Sequence, residues 1–182
     1  MNLLEQKIKE VMEALRLDLN DPNLKDTPKR VAKMFTNELF VNIGRKAPEG
    51  ITVFPNDKNY NQMIIDTKIE FNSTCAHHFL PFKGVAHIGY IPKNELVGIS
   101  KLSRIVDFYS KKPQSQENLT EEITSFIENK LKPQGVMVVL EAEHFCKSIR
   151  GIKKPGSLMI TSSIRGAFKK QETKNEFLEL IK

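Results

Sequence analysis

The sequence predicts an α+β fold built around an antiparallel sheet and preceded by a helical extension. Two observations lead to this prediction. Apolar residues recur at the helical interval of three or four near the amino terminus, whereas later segments are rich in β-branched and aromatic residues. The later segments form two strand pairs separated by two helical stretches, an order that is typical of α+β domains.

The first part of the chain, residues 1–60, is predicted to be a helical extension. Residues 3–17 carry apolar side chains on one helical face, namely Leu4, Ile8, Val11, Met12 and Leu15. Asn-Asp-Pro at 20–22 ends this helix, and Thr27-Pro28 predicts an N-cap followed by proline at the first helical position. The apolar stripe of the second helix consists of Val31, Phe35 and Leu39. Residues 42–60 then indicate a connection.

The remaining residues, 61–182, are predicted to form the main domain. Strands are expected at residues 63–72, 85–91, 136–145 and 158–164. Helices are expected at residues 100–112 and 119–132, between the strand pairs, and at 173–181. The two strand pairs and the two helices between them therefore supply the predicted core.

The composition is that of an ordinary globular protein, with 40% hydrophobic and 27% charged residues among 182. It excludes a disordered chain and a disulfide-stapled mini-protein. No window approaches the roughly 18 consecutive apolar residues of a membrane span, so no membrane partner is expected. Charges interrupt the apolar pattern of the amino terminus, which lacks the features of a signal peptide and so predicts a cytoplasmic location.

The net charge of +6 is compatible with nucleic acid, anionic lipid or a polyphosphate ligand. A lysine-rich solvated surface explains the same total. The basic residues are spread over the chain with no run of five or more, so their positions must decide between these interpretations.

Three of the four histidines and both cysteines fall in two short segments, each at a predicted strand end. Catalytic zinc sites use three thiolate or imidazole ligands and keep one position open. One turn can present both Cys75 and His78 to a metal, and Cys146 would complete the set. His77 and His144 are then left to carry protons. A closed zinc site that uses all of them, or two inert buried cysteines, explains the pattern as well.

Basic side chains cluster near these segments. Ser100, Lys101 and Arg104 open a predicted helix, whose N-terminus adds backbone donors for an anion. Lys33 lies on the second helix, and Arg150 follows Cys146 closely. These residues indicate a phosphate site, although each one alone fits an ordinary surface charge.

Gln116 and Glu117 lie at a polar helix entry. A glutamate carboxylate can accept hydrogen bonds from both the ring N–H and the exocyclic amine of guanine, and the adjacent glutamine can add contacts. By spacing alone, these residues indicate an ordinary polar helix start.

Five stretches together resemble the GTP cyclohydrolase I family: TPKRVAKMF (27–35), STCAHHFLPFKGVAHIGYIP (73–92), VGISKLSRIVDFY (97–109), PQSQENLT (113–120) and EAEHFCKSIRG (142–151). Their order and spacing match as well. The resemblance implies the tunnelling fold, an antiparallel four-stranded sheet with two helices between its halves. It also implies a toroidal homodecamer of two face-to-face pentameric barrels, with active sites between subunits.

The resemblance further implies a role for each matching residue. Zinc is expected on Cys75, His78 and Cys146, and acid–base catalysis on His77 and His144. Guanine is expected on Glu117 and Gln116, helped by the backbone near Val97 and Ile99. The triphosphate is expected on Lys33, Lys101, Arg104 and Arg150, with Ser100 near the ribose and phosphates.

The implied reaction converts GTP and water to 7,8-dihydroneopterin triphosphate and formate. It begins tetrahydrofolate and related pterin synthesis and, in some bacteria, the synthesis of 7-deazaguanines. Two positions depart from the family pattern, because Ala76 stands where glutamate is usual and Lys147 where methionine is common. The missing carboxylate at position 76 bears directly on turnover.

Three alternatives stay open at this point. A nitrile reductase of 7-deazaguanine synthesis shares the fold but uses a cysteine nucleophile with NADPH. A zinc-stabilised nucleic-acid-binding module explains the charge but not Gln116 and Glu117, and the resemblance implies no nucleic-acid partner. A catalytically silent homologue would bind nucleotide without turning it over.

Overall fold

The computed structural model describes residues 2–48 and 50–182. The chain divides into two compact units, Met1–Ile43 and Gly44–Lys182. Each unit has its own elements, and the second contains the sheet.

The N-terminal unit is helical, as predicted. Helix α1 (Leu3–Ala14) ends three residues before the predicted position 17. Helix α2 (Thr27–Met34) begins one residue earlier than predicted, because Asp26 and not Thr27 is its N-cap. Proline lies in its first turn, where a missing N–H costs nothing. One π-helical turn, Phe35–Leu39, extends α2.

The second unit contains eleven regular elements besides one 3₁₀ turn, among the residues that the structure describes. In chain order they are β1 (Val53–Pro55), β2 (Ile64–Cys75), β3 (Pro81–Ile91), β4 (Glu95–Val97), α3 (Ile99–Ser110), β5 (Pro113–Gln114), α4 (Gln116–Leu131), β6 (Gly135–His144), α5 (Phe145–Ser148), β7 (Leu158–Gly166) and α6 (Gln171–Leu180). The predicted strand and helix order is therefore confirmed, and β1, β4, β5 and α5 are additions.

The main sheet has the strand order β5-β2-β3-β6-β7. Strands β2, β3, β6 and β7 pair antiparallel, and the two-residue β5 pairs parallel with the end of β2. Helices α3 and α4 lie between β3 and β6 in sequence. The predicted α+β class and the four-stranded antiparallel sheet of the tunnelling fold are thus confirmed.

The connection predicted at 42–60 contains a short strand. Strand β1 pairs antiparallel with β4, with Val53 opposite Val97. By its contacts this part of the connection belongs to the second unit. The domain boundary placed at residue 60 from the sequence stays a prediction.

The two faces of the sheet bury different clusters. Buried side chains of α3 and α4 pack with Phe82, Ile88 and Leu140 on one face. On the other face Phe177 of α6 covers Met137 and Val139 of β6. A Cβ at Gly89 would lie 2.6 Å from the Phe177 ring, so this close approach requires glycine. Both faces are therefore covered, which fixes the strand register.

The topology brings several chain segments to one edge of the sheet. Strands β2 and β6 are both antiparallel to β3, so they run in the same direction and end together. Strand β2 ends at Cys75, which pairs with Gln114 of β5, and β6 ends at His144. Helix α4 starts two residues after β5. This edge therefore collects the cysteine and histidine segments and the start of α4.

None of the helices in the described part of the chain combines the length and the apolar character needed to cross a membrane.

Candidate metal centre and active site

Cys75, His78 and Cys146 converge at this edge of the sheet. One ligand atom from each residue lies within 4.8 Å of the other two. Cys75 Sγ and His78 Nδ1 are 4.0 Å apart. A tetrahedral zinc with bonds of about 2.3 Å to sulfur needs ligand atoms roughly 3.8 Å apart. The donor set and its spacing therefore fit a zinc ion with three protein ligands.

Local backbone structure explains this convergence. The turn after β2 is closed by hydrogen bonds from Phe79 N to Cys75 O and from Cys75 N to Leu80 O, at 2.9 and 2.8 Å. It presents Cys75 and His78 together. The single turn of α5, closed by Ile149 N to Phe145 O at 3.1 Å, presents Cys146 from the end of β6.

The two cysteines are free thiols. Burial raises the pKa of the Cys146 thiol, and the neighbouring Cys75 raises this pKa further, while Arg150 opposes the shift. A coordinated divalent cation reverses such a shift, because a coordinating thiol is deprotonated outright. A free Cys146 thiolate is therefore disfavoured here, and a bound metal would stabilise it.

Of the two remaining histidines of these segments, His77 contacts the ligand group and His144 precedes the ligand Cys146 by two residues. His77 is exposed, with Nδ1 3.6 Å from Cys75 Sγ. His144 is half-buried, and its ring stacks on Phe82 with centroids 4.5 Å apart. Burial lowers the pKa of His144, an effect that Glu117 opposes and Lys147 reinforces.

The two predicted guanine contacts differ in exposure. Glu117 lies in the first turn of α4 with its side chain exposed, near enough to His144 to act on its pKa. Gln116 has 0% exposure, and its amide is hydrogen-bonded within the fold. Of the two, only Glu117 is open to a ligand in this chain.

The predicted phosphate contacts lie in three places. Arg150 Nη1 is 3.0 Å from His78 Nε2, at the rim of the ligand group. Ser100, Lys101 and Arg104 occupy the first turns of α3, and their side chains make no hydrogen bond or ion pair with any described residue. Lys33 is exposed on α2 in the N-terminal unit. The structure thus brings Arg150 directly to the ligand group.

Two parts of this site were not predicted from the sequence. Phe82 lies directly opposite His144 in the β3–β6 register and forms the flat surface under its ring. The carbonyl groups of Leu140 and Met159 accept from the Gln116 amide. Both follow from strand register, which composition and spacing do not specify.

Comparisons with known proteins agree on one family. The model of the family described as GTP cyclohydrolase I matches residues 4–182. A protein of Dehalococcoides mccartyi named GTP cyclohydrolase 1 is 46% identical over 181 residues, which cover 98% of this chain and 95% of the relative. Proteins with the same name from Aquifex aeolicus and a Sulfurihydrogenibium species are 44% and 43% identical, covering 98% and 99% of this chain and 95% and 94% of the relatives.

Proposed function

The chain belongs to the GTP cyclohydrolase I family, and we propose from this premise that its reaction takes place at the Cys75–His78–Cys146 edge of the sheet. The enzyme is a zinc-dependent hydrolase. It converts GTP and water to 7,8-dihydroneopterin triphosphate and formate, the first step of tetrahydrofolate and pterin synthesis. The resemblance seen in the motifs is confirmed.

One observation carries the assignment of the site. Two thiols and one imidazole from two segments lie within 4.8 Å of one another, and the further histidine His77 contacts Cys75. A purely structural zinc site would close the fourth position with a protein ligand. Here the exposed His77 and the half-buried His144 stand outside the three-ligand set, which favours a catalytic centre.

The residues divide the chemistry among them. Cys75, His78 and Cys146 would hold the zinc, which would supply Lewis-acid activation of water for hydrolysis at carbon 8 of guanine. His77 and His144 move protons during ring opening and during the later opening and rearrangement of the ribose. The burial that lowers the pKa of His144 keeps its imidazole neutral and able to accept a proton near neutral pH.

Charged side chains hold the substrate at its guanine end and at its triphosphate end. The Glu117 carboxylate accepts from the guanine ring, assisted by the backbone near Val97 and Ile99. The Val97 N–H donates to the Tyr90 hydroxyl at 3.1 Å, which fixes the end of β4 just before α3. The triphosphate lies against basic and hydroxyl side chains of the second unit, namely Ser100, Lys101, Arg104 and Arg150. The phosphate contact expected from the resemblance for Lys33, in the N-terminal unit, stays a prediction.

Incubation with GTP tests this function directly. We expect release of formate together with a product that fluoresces as a pterin after oxidation. Zinc and GTP binding without formate, in the assembled protein, would instead identify a silent homologue. NADPH oxidation with a 7-deazaguanine nitrile would identify the reductase, and salt-dependent binding to arbitrary DNA or RNA would identify a nucleic-acid module.

Ala76 supplies a prediction about turnover. Its side chain is exposed and its N–H donates to Gln114 O at 2.9 Å, so a longer side chain can extend outward without altering this bond. A glutamate there can orient His77 or pair with a basic phosphate contact. Charge-assisted hydrogen bonds contribute about 1.5–3 kcal/mol. Ala76→Glu is expected to keep formate release level or raise it by up to about 10- to 150-fold.

The control for this prediction is Ala76→Gln, which adds the same length without the charge. Formate release is measured at matched zinc content. If Ala76→Glu lowers the rate while Ala76→Gln leaves it unchanged, another group has replaced the carboxylate and the added charge is unpaired.

The assembly forms a further part of the proposal. The family is oligomeric, and we propose the toroidal homodecamer for this chain. Leu158 and Ile160 on the edge strand β7 are 57% and 63% exposed, and an apolar edge strand is a template for pairing with another copy. We also place the enzyme in the cytoplasm, where Cys75 and Cys146 stay reduced.

Light scattering of the purified protein is expected to give the mass of a decamer, and formate release should be confined to that species. Fractions separated by size are assayed individually, so mass and activity are compared on the same material. An active particle with the 20.8 kDa mass of one chain contradicts this prediction.

A further inference from the structure

The amide group of Gln116 is held in a single orientation. Its Nε2 lies 3.1 Å from Leu140 O, 2.9 Å from Met159 O and 3.1 Å from Thr161 Oγ1. Backbone carbonyl oxygens only accept hydrogen bonds, so the nitrogen of the amide must face them. The hydrogen-bond network therefore fixes which end of this amide is oxygen.

The oxygen of the same amide faces His144. Gln116 Oε1 is 2.8 Å from His144 Nε2. An amide oxygen only accepts, so the hydrogen of this bond belongs to His144 Nε2. In a neutral imidazole the other nitrogen, Nδ1, then has the free lone pair. The contact thus selects one tautomer of His144.

The plane of the His144 ring is fixed as well. The ring stacks on Phe82 with an interplanar angle of 3° and a centroid separation of 4.5 Å. Phe82 is fully buried in the core and lies directly opposite His144 in the strand register. Stacking restricts tilt of the ring, and the hydrogen bond to Gln116 restricts rotation within its plane.

We propose that Gln116 is a positioning residue for His144, which fixes the ring so that Nδ1 faces the reaction, and that it does not bind guanine itself. This inference rests on the proposed role of His144 in proton transfer. All hydrogen-bonding atoms of the Gln116 side chain are used by the sheet and His144, and the side chain is fully buried. Guanine recognition then falls to its exposed neighbour Glu117.

Gln116→Met tests the proposal by kinetics. Methionine has a similar length but neither donates nor accepts a strong hydrogen bond. Misplacing a catalytic group is expected to lower kcat about 10- to 100-fold, while the KM for GTP stays within about twofold. A raised KM with unchanged kcat would show direct guanine contact and overturn the proposal.

The matched control is Thr124→Val on the same helix. Thr124 is fully buried and donates to Thr120 O at 2.8 Å, so its replacement also removes one buried hydrogen bond of α4. No hydrogen bond connects Thr124 to His144 among the described residues, and kcat is expected to stay unchanged. Gln116→Glu in its protonated form keeps one donor and one acceptor and should recover part of the lost rate. A kcat for Thr124→Val as low as that of Gln116→Met would show a merely structural effect and overturn the proposal.

A second readout does not depend on activity. Solid-state NMR of protein with ¹⁵N-labelled histidine rings reports the tautomer of each ring, and His144→Ala assigns the signal. The proposal expects hydrogen on Nε2 and a free lone pair on Nδ1, and the reverse tautomer overturns it. If native protein releases no formate yet shows the expected tautomer, the proposed function fails while the positioning by Gln116 stands.

Discussion

Replacing Cys75 or Cys146 by serine is expected to abolish both zinc binding and formate release. Each substitution removes one of three ligands, and a serine hydroxyl does not ionise near neutral pH as a coordinated thiol does. Cys75 is 4% exposed, so its sulfur is one of the ligand atoms that the fold itself holds in place. The measurement is zinc per chain by elemental analysis, together with formate release.

Ser73→Ala serves as the control for these variants. Ser73 lies on β2 two residues before Cys75, is 3% exposed, and its hydroxyl has no partner among the described residues. Its replacement changes the same strand and leaves all three ligands in place, so zinc content should stay at that of native protein. Full zinc occupancy in both cysteine variants would contradict the three-ligand assignment.

Glu117→Ala is expected to weaken GTP binding roughly 30- to 1000-fold, which corresponds to the loss of a charged hydrogen-bond partner covered by the bound base. Adenine offers no paired donors to a carboxylate, so the preference for guanine over adenine should fall with the affinity for GTP. Equilibrium binding of GTP and ATP measures both effects.

The control for Glu117 must remove the same charge from the same helix, because losing a negative charge by itself favours a triphosphate. Glu128→Ala meets this requirement, because Glu128 lies on α4 about three turns after Glu117. The Glu128 carboxylate forms an ion pair with Arg165. It should leave the ratio of GTP to ATP affinity unchanged. Unaltered GTP binding by Glu117→Ala would rule out its role in recognising guanine.

The long elements could be predicted because their patterns are strong. The recurrence of apolar and β-branched residues along the sequence predicts six elements and their order, namely α3, α4, β2, β3, β6 and β7. Three strands are too short to show a recurring pattern of apolar residues, namely the two-residue β5 and the three-residue β1 and β4. They form because neighbouring backbone groups are available for pairing, which only the folded chain provides.

The candidate site shows the same division between local and tertiary information. Cys75 and His78 are close in sequence, and cysteine with histidine is a chemical pattern that needs no structure to recognise. Gln116 is different, because a polar residue at a helix start is usually exposed. Here carbonyl groups of β6 and β7 reach its amide, and residues 24 and 43 positions away in the chain provide these contacts.

The first turn of α4 carries two consecutive side chains with opposite surroundings, Gln116 in the interior against His144 and Glu117 in solvent. Ser115 stabilises this turn by accepting from Asn118 N at 3.2 Å. A nucleotide that draws Glu117 out of place would also pull Gln116 away from His144. A poorly matched base would then be penalised twice, once in affinity and again in rate, so discrimination between nucleotides should be larger in kcat/KM than in binding alone.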